Sequence, residues 1–240
     1  MSGENTVEDG AEYCAAILDA LKSQDPALGR KFLLEQAGRD PVEVLVLTIL
    51  SQATNDRNSG LAYRELRARF PSWDQVLRAP DADVEAAIRR GGLARMKASR
   101  IKAALRRIRR ETGSVSLDFL SGWETEDILR YLCSFDGIGP KTAACVALFA
   151  LGRPVFPVDT HILRVCRRLG LVDEKATAAR AQDQLQRKIP PGMRRELHLG
   201  LIEHGRRTCR PGNPRCHSCS LRAFCRKPGL KDFSPPAEKS

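Results

Sequence analysis

The segment FDGIGPKTAA, residues 135–144, places Lys141 directly behind a proline at the mouth of an apolar run. A helix N-terminus is the positive end of the helix dipole, so a cation in the first turn is less stable there than a carboxylate, and some other demand must outweigh that cost. A lysine amine partly desolvated beside such a terminus gives up its proton more readily than one in water, and the neutral amine is a nucleophile. In FPVDTHILRVCRRLG, Asp159 stands just before another helical run, where the ordinary role of a carboxylate is that of an N-cap.

A second set of reactive side chains lies near the end of the chain. RTCRPGNPRCHSCSLRAFC carries Cys209, Cys216, Cys219 and Cys225 in the spacing C-x6-C-x2-C-x5-C. Thiolates this close together can enclose one metal centre, with the glycine and prolines between them letting a short loop wrap around it. Structural zinc usually takes two close pairs separated by a longer insert, so a [4Fe-4S] cluster is the first reading and zinc the second. Four cysteines leave no open coordination position, which points to a structural or redox-sensing role. His217 is redundant as a ligand and is expected to be exposed. Cys14, Cys133, Cys145 and Cys166 sit in apolar helical contexts and are expected in the core.

The elements that must position these groups read as helices. Apolar periodicity is helical throughout, and no alternating run is long enough to build a sheet, which predicts an all-α protein. Helices are expected over 11–23, 41–52, 55–69, 95–111, 124–134, 141–151, 159–170, 175–189 and 192–206. Asp40-Pro41-Val42-Glu43 supplies a cap, a proline at the first helical position and an early Glu, and Ser72 with Gln75 spells a capping box. Gly137-Ile138-Gly139 lies between EDILRYLCSF and KTAACVALFALG, a pattern of helix, tight turn, helix. Its glycines permit positive φ and leave backbone N–H groups uncovered for a phosphate, and Ile138 is expected to tuck between the helices. ARMKASRIKAALRRIRR, residues 94–110, puts Ile101, Leu105 and Ile108 on one stripe and leaves eight Lys or Arg for water or for phosphate.

The 240 residues suit one compact protein or two small domains. Forty Lys and Arg against 29 Asp and Glu give a net charge of +11, which argues for a polyanionic partner, nucleic acid first. No apolar run approaches the roughly 18 residues of a membrane span, and MSGENTVEDG has neither secretory nor transit character. The expected location is cytoplasmic, on the nucleoid if the source is bacterial.

Taken in order, LTILSQATNDRNS, GIGPKT, VDTHILRVCRRLG and the C-x6-C-x2-C-x5-C cluster resemble the endonuclease III family of helix-hairpin-helix DNA glycosylases and AP lyases over about residues 30–226. The resemblance implies a six-helix barrel-like domain at 34–153 and an iron-sulfur domain built from 1–33 and 154–240, with Lys141 and Asp159 facing a cleft between them. It implies a monomer acting on double-stranded DNA that contains damaged bases or abasic sites. Lys141 would attack the sugar, Asp159 would assist, and oxidised pyrimidines would be removed with β-elimination of the strand. Gln52 would reach into the DNA near the extruded nucleotide, Leu93 would wedge the duplex, and Gly137, Ile138 and Gly139 would grip the backbone. A monofunctional or mismatch-type glycosylase and a non-catalytic helix-hairpin-helix DNA-binding protein are the alternatives. Asp136 replaces the family's usual proline, Pro140 precedes the lysine, and Gly91 and Ala94 flank Leu93 where bulkier side chains are common, which predicts a smaller wedge.

Overall fold

The computed structural model describes residues 5–25 and 40–226; among them are helices, turns and irregular chain, and no strand. Eleven α-helices are described: α1 (Asn5–Gln24), α2 (Pro41–Ser51), α3 (Asp56–Arg69), α4 (Trp73–Arg78), α5 (Asp81–Ala87), α6 (Ala94–Thr112), α7 (Thr125–Cys133), α8 (Pro140–Phe149), α9 (Thr160–Leu169), α10 (Ala178–Lys188) and α11 (Arg194–Arg207). The all-α expectation holds. The chain divides into two units, Gln36–Arg153 and Met1–Glu35 with Pro154–Ser240. The boundary expected between 33 and 34 lies outside the described residues.

In Gln36–Arg153 the helix starts follow the capping chemistry of the sequence. Asp40 Oδ1 accepts the Val42 N–H at 2.8 Å, and Pro41 occupies the first turn. Ser72 and Gln75 exchange both bonds of a capping box at α4. α2 buries Val42, Leu45, Val46, Ile49 and Leu50, so it is apolar nearly all round, as a central helix must be. α6 buries the stripe of Ile101, Leu105 and Ile108.

The charges of α6 differ from expectation. Lys97 is fully buried and donates to the carbonyls of Leu50 (2.7 Å) and Gly91 (2.8 Å). Lys102, also buried, reaches the Ala79 carbonyl and Asp81. Arg107 pairs with Glu111 and Arg109 with Asp74. Much of this helix's charge is therefore engaged within the unit and is not free to meet phosphate.

In the other unit, Cys14, Ile17, Leu18 and Leu21 of α1 share a core with Ile162, Val165 and Cys166 of α9 and with Leu197 and Leu201 of α11. A Cβ at Gly205 would stand 3.0 Å from His161 Cβ, so the glycine lets α11 approach α9 closely. Cys14, Cys145 and Cys166 are buried as expected, but Cys133 is exposed. It follows the buried Leu132 and is therefore turned about 100° away from it around the helix axis.

Candidate DNA-repair site and cysteine pocket

The turn between α7 and α8 is built on one left-handed residue. Gly137 has φ +71°, whereas Gly139 at φ −94° is ordinary extended backbone, so only the first glycine is there for positive φ. Ile138 is buried, with its N–H on the Phe135 carbonyl at 3.1 Å, and is tucked in as expected. A Cβ on Gly137 would fall 2.4 Å from Arg100 Nε, so the arginine lies against the glycine's bare face. Gly139 caps α8 without a side-chain bond and faces open space, and the first turn has no acidic residue. The first-turn N–H groups of α8 thus have neither a capping side chain nor an acidic neighbour in that turn, an arrangement suited to an anion. Lys141 is the second residue of α8, half-buried, and makes no ion pair among the described residues.

Asp159 lies in the other unit, where it caps α9: its Oδ1 accepts the Ile162 N–H at 2.8 Å. The capping role read from the sequence is thus present, and the carboxylate is half-buried.

Gln52 follows α2 directly, and both ends of its carboxamide are held. Arg100 Nη1 donates to Oε1 at 3.0 Å, and Nε2 donates to the Gly137 carbonyl at 3.3 Å. Leu93, just before α6, is 55% exposed. Ala53 (φ +50°) and Leu93 (φ +49°) are the non-glycine residues with positive φ among those described. Each left-handed L-residue costs about 1 kcal/mol, and such strain persists where the surroundings over-determine it. Lys97 is one such constraint, because its two carbonyl partners each lie two residues before Gln52 and Leu93. Burial lowers its pKa below the ordinary lysine value. Sequence reasoning missed Lys97, although its place four residues before Ile101 and eight before Leu105 already put it on the apolar stripe. Met96, one turn on from Leu93, is a further exposed apolar side chain that sequence reasoning did not single out, at 37%.

Cys209, Cys216, Cys219 and Cys225 all line one pocket, together with His204 and Leu221. Its walls are strapped from several helices. Arg164 Nε donates to the Cys209 carbonyl (2.8 Å) and Nη2 to the Gly205 carbonyl (2.7 Å). Arg168, nearly buried, donates through Nη1 to Cys209 Sγ (3.0 Å) and the Arg210 carbonyl (3.1 Å). The Tyr13 hydroxyl lies 2.9 Å from both the Leu169 and the Phe224 carbonyls, and Gln24 Nε2 donates to the Ser218 carbonyl at 3.1 Å. Burial pushes the His204 ring down to about 4, so it is neutral at neutral pH, with Nε2 3.6 Å from Cys219 Sγ. Burial also pushes the Cys219 thiol up to about 11, a proton that a positive centre would displace. His217 is exposed, as expected. Among the described residues no three His, Cys, Asp or Glu side chains converge tightly enough to hold a single metal ion.

Residues 46–191 match the HhH-GPD superfamily of base excision DNA repair proteins. The chain is 42% identical over 162 residues to an Arabidopsis thaliana protein named as a candidate DNA glycosylase, covering 68% of this chain and 55% of that one. It therefore spans about half the length of that relative. It is 30% identical over 196 residues to Endonuclease III of Thermotoga maritima, covering 82% of this chain and 87% of the relative. Its structure resembles that of a trapped Endonuclease III–DNA covalent intermediate with a TM-score of 0.75 at 26% identity, over 95% of this chain and 97% of that one. The chain belongs to the HhH-GPD superfamily and, within it, to the endonuclease III family.

Proposed function

We propose that the protein is a bifunctional DNA glycosylase and AP lyase of base excision repair, acting as a monomer on double-stranded DNA to remove oxidised pyrimidines and cut at the abasic site. The observation that carries this reading is Lys141, a half-buried amine without an ion pair among the described residues, at the uncapped start of α8. A relative trapped as a covalent intermediate with DNA supports a nucleophile of this kind.

The damaged nucleotide is first extruded, which costs a few kcal/mol and least where pairing is already impaired. The Lys141 ammonium first gives up its proton to solvent; Asp159 stays a carboxylate throughout, and its charge stabilises the cation developing at the sugar. Lys141 Nζ forms a bond to C1′ while the glycosidic bond breaks and its electron pair departs with the base, which picks up a proton. The sugar ring opens to a Schiff base. Loss of a C2′ proton then expels the phosphate on the 3′ side, and water releases the lysine.

The four cysteines would hold a [4Fe-4S] cluster, zinc being the second reading. All four thiols line one pocket, as a shared centre requires, and the compact spacing with a single C-x2-C pair favours the cluster. When bound it would cross-link the loop; it takes no part in the steps above. Iron and acid-labile sulfide near four per chain in yellow-brown protein support the cluster, and one zinc in colourless protein excludes it.

Borohydride trapping on duplexes containing an abasic site or thymine glycol tests the chemistry. Lys141→Ala should abolish the trapped adduct while DNA binding stays measurable, and an adduct that survives removes Lys141 as nucleophile. Asp159→Asn should cut base release about a hundredfold or more with the fold retained. A loss accounted for by unfolding alone would leave Asp159 only its cap.

A further inference from the structure

We propose that Arg100 is a positioning residue for Gln52, fixing its carboxamide against the hairpin turn before DNA arrives. This rests on the reading that Gln52 enters the duplex. Guanidinium groups only donate, so the end of Gln52 that meets Arg100 Nη1 at 3.0 Å must be its oxygen, and the amide end then faces the Gly137 carbonyl at 3.3 Å. Arg100 itself is seated in the space left by the missing Gly137 side chain, where a Cβ would come within 2.4 Å of Nε. One turn earlier on α6, Lys97 anchors the backbone on which Gln52 is mounted, through the Leu50 carbonyl.

A glutamine free in water samples several rotamers and both amide orientations. Held at both ends, it has lost that freedom in advance, so filling the gap left by an extruded nucleotide carries a smaller entropic cost. The bonds also decide which polar atoms remain for a base: one N–H and one lone pair, in a fixed sense. Gly137 thus has a role beyond its φ angle, because any side chain there would displace the arginine that orients Gln52.

The test uses the full-length protein carrying Arg100→Met, Arg100→Lys, Gln52→Ala or the double substitution Gln52→Ala/Arg100→Met, with melting curves checking the fold. Nucleotide extrusion is followed by 2-aminopurine fluorescence beside an abasic site, and affinity is followed against salt. Arg100→Met should slow extrusion about tenfold, leave the salt slope unchanged and add nothing to Gln52→Ala. Arg100→Lys, a point donor that cannot lie flat on Gly137, should recover part of the rate. Additive defects, with a salt slope smaller by about one charge, would make Arg100 a phosphate contact and overturn the proposal. Normal extrusion by Arg100→Met beside a defective Gln52→Ala would overturn it while sparing the Gln52 reading. Normal extrusion by Gln52→Ala would sink both.

Discussion

The segments bearing Gln52, Leu93 and the hairpin, and the loop bearing the four cysteines, are both held by cations donating to backbone carbonyls, yet they differ in what is left at the centre. In Gln36–Arg153 the ammonium of Lys97 fills the space between the Leu50 and Gly91 carbonyls, and Arg100 fills the face of Gly137. In the other unit Arg164 and Tyr13 hold main-chain carbonyls of the loop, Arg168 reaches Cys209 Sγ and the Arg210 carbonyl, and the four thiols line a pocket. The first arrangement completes itself with its own side chains. The second would be completed by the cluster proposed above.

The contrast breaks most visibly if the cysteine loop proves indifferent to its thiols. Cys219→Ser should destabilise the protein by on the order of 5 kcal/mol and abolish metal content, measured by melting and elemental analysis. Lys97→Ala should cost about 3 kcal/mol in denaturant unfolding, since it opens a cavity and orphans two buried carbonyls, while bound iron stays unchanged. Gly137→Ala should cost about 1–2 kcal/mol, through positive φ and displacement of Arg100, and should slow nucleotide extrusion as well. Tyr13→Phe, which removes one strap but leaves the pocket, should cost about 1 kcal/mol with metal retained.

A pH dependence sharpens the same contrast with a smaller effect. Burial lowers the Lys97 pKa, so between that value and the ordinary lysine value the unfolded chain binds a proton that the folded chain has released. Unfolding then takes up protons, and this group's contribution to stability rises with pH across the window; below both values its burial cost is present in full. Comparing the chain with Lys97→Met by denaturant unfolding from about pH 7 to pH 10 isolates the contribution, and identical slopes would refute it.

What was legible in the sequence was local. Asp40 with Pro41, and Ser72 with Gln75, announce helix starts because the capping atoms lie within three residues of the N–H groups they satisfy. The cysteine spacing and the glycine turn are likewise short-range signals. Lys97 was missed because its partners, Leu50 and Gly91, are supplied by other parts of the chain, and a lysine in a basic helix looks solvated until those carbonyls arrive. Gly137 was read for its φ angle and for exposed N–H groups, but the arginine on its face comes from a helix ended 25 residues earlier. Met96 gave no signal at all, since only the packing of α6 decides which of its apolar residues face outward.

Among the described residues, Lys97, Lys102, Arg168 and Arg194 are buried cations, each held by main-chain oxygens. They count toward the formal charge of +11, yet they shed no counterions when a polyelectrolyte docks. The ionic footprint of this protein on DNA is accordingly narrower than its composition suggests, and a plot of log affinity against log salt should report fewer neutralised phosphates than its lysines and arginines would promise.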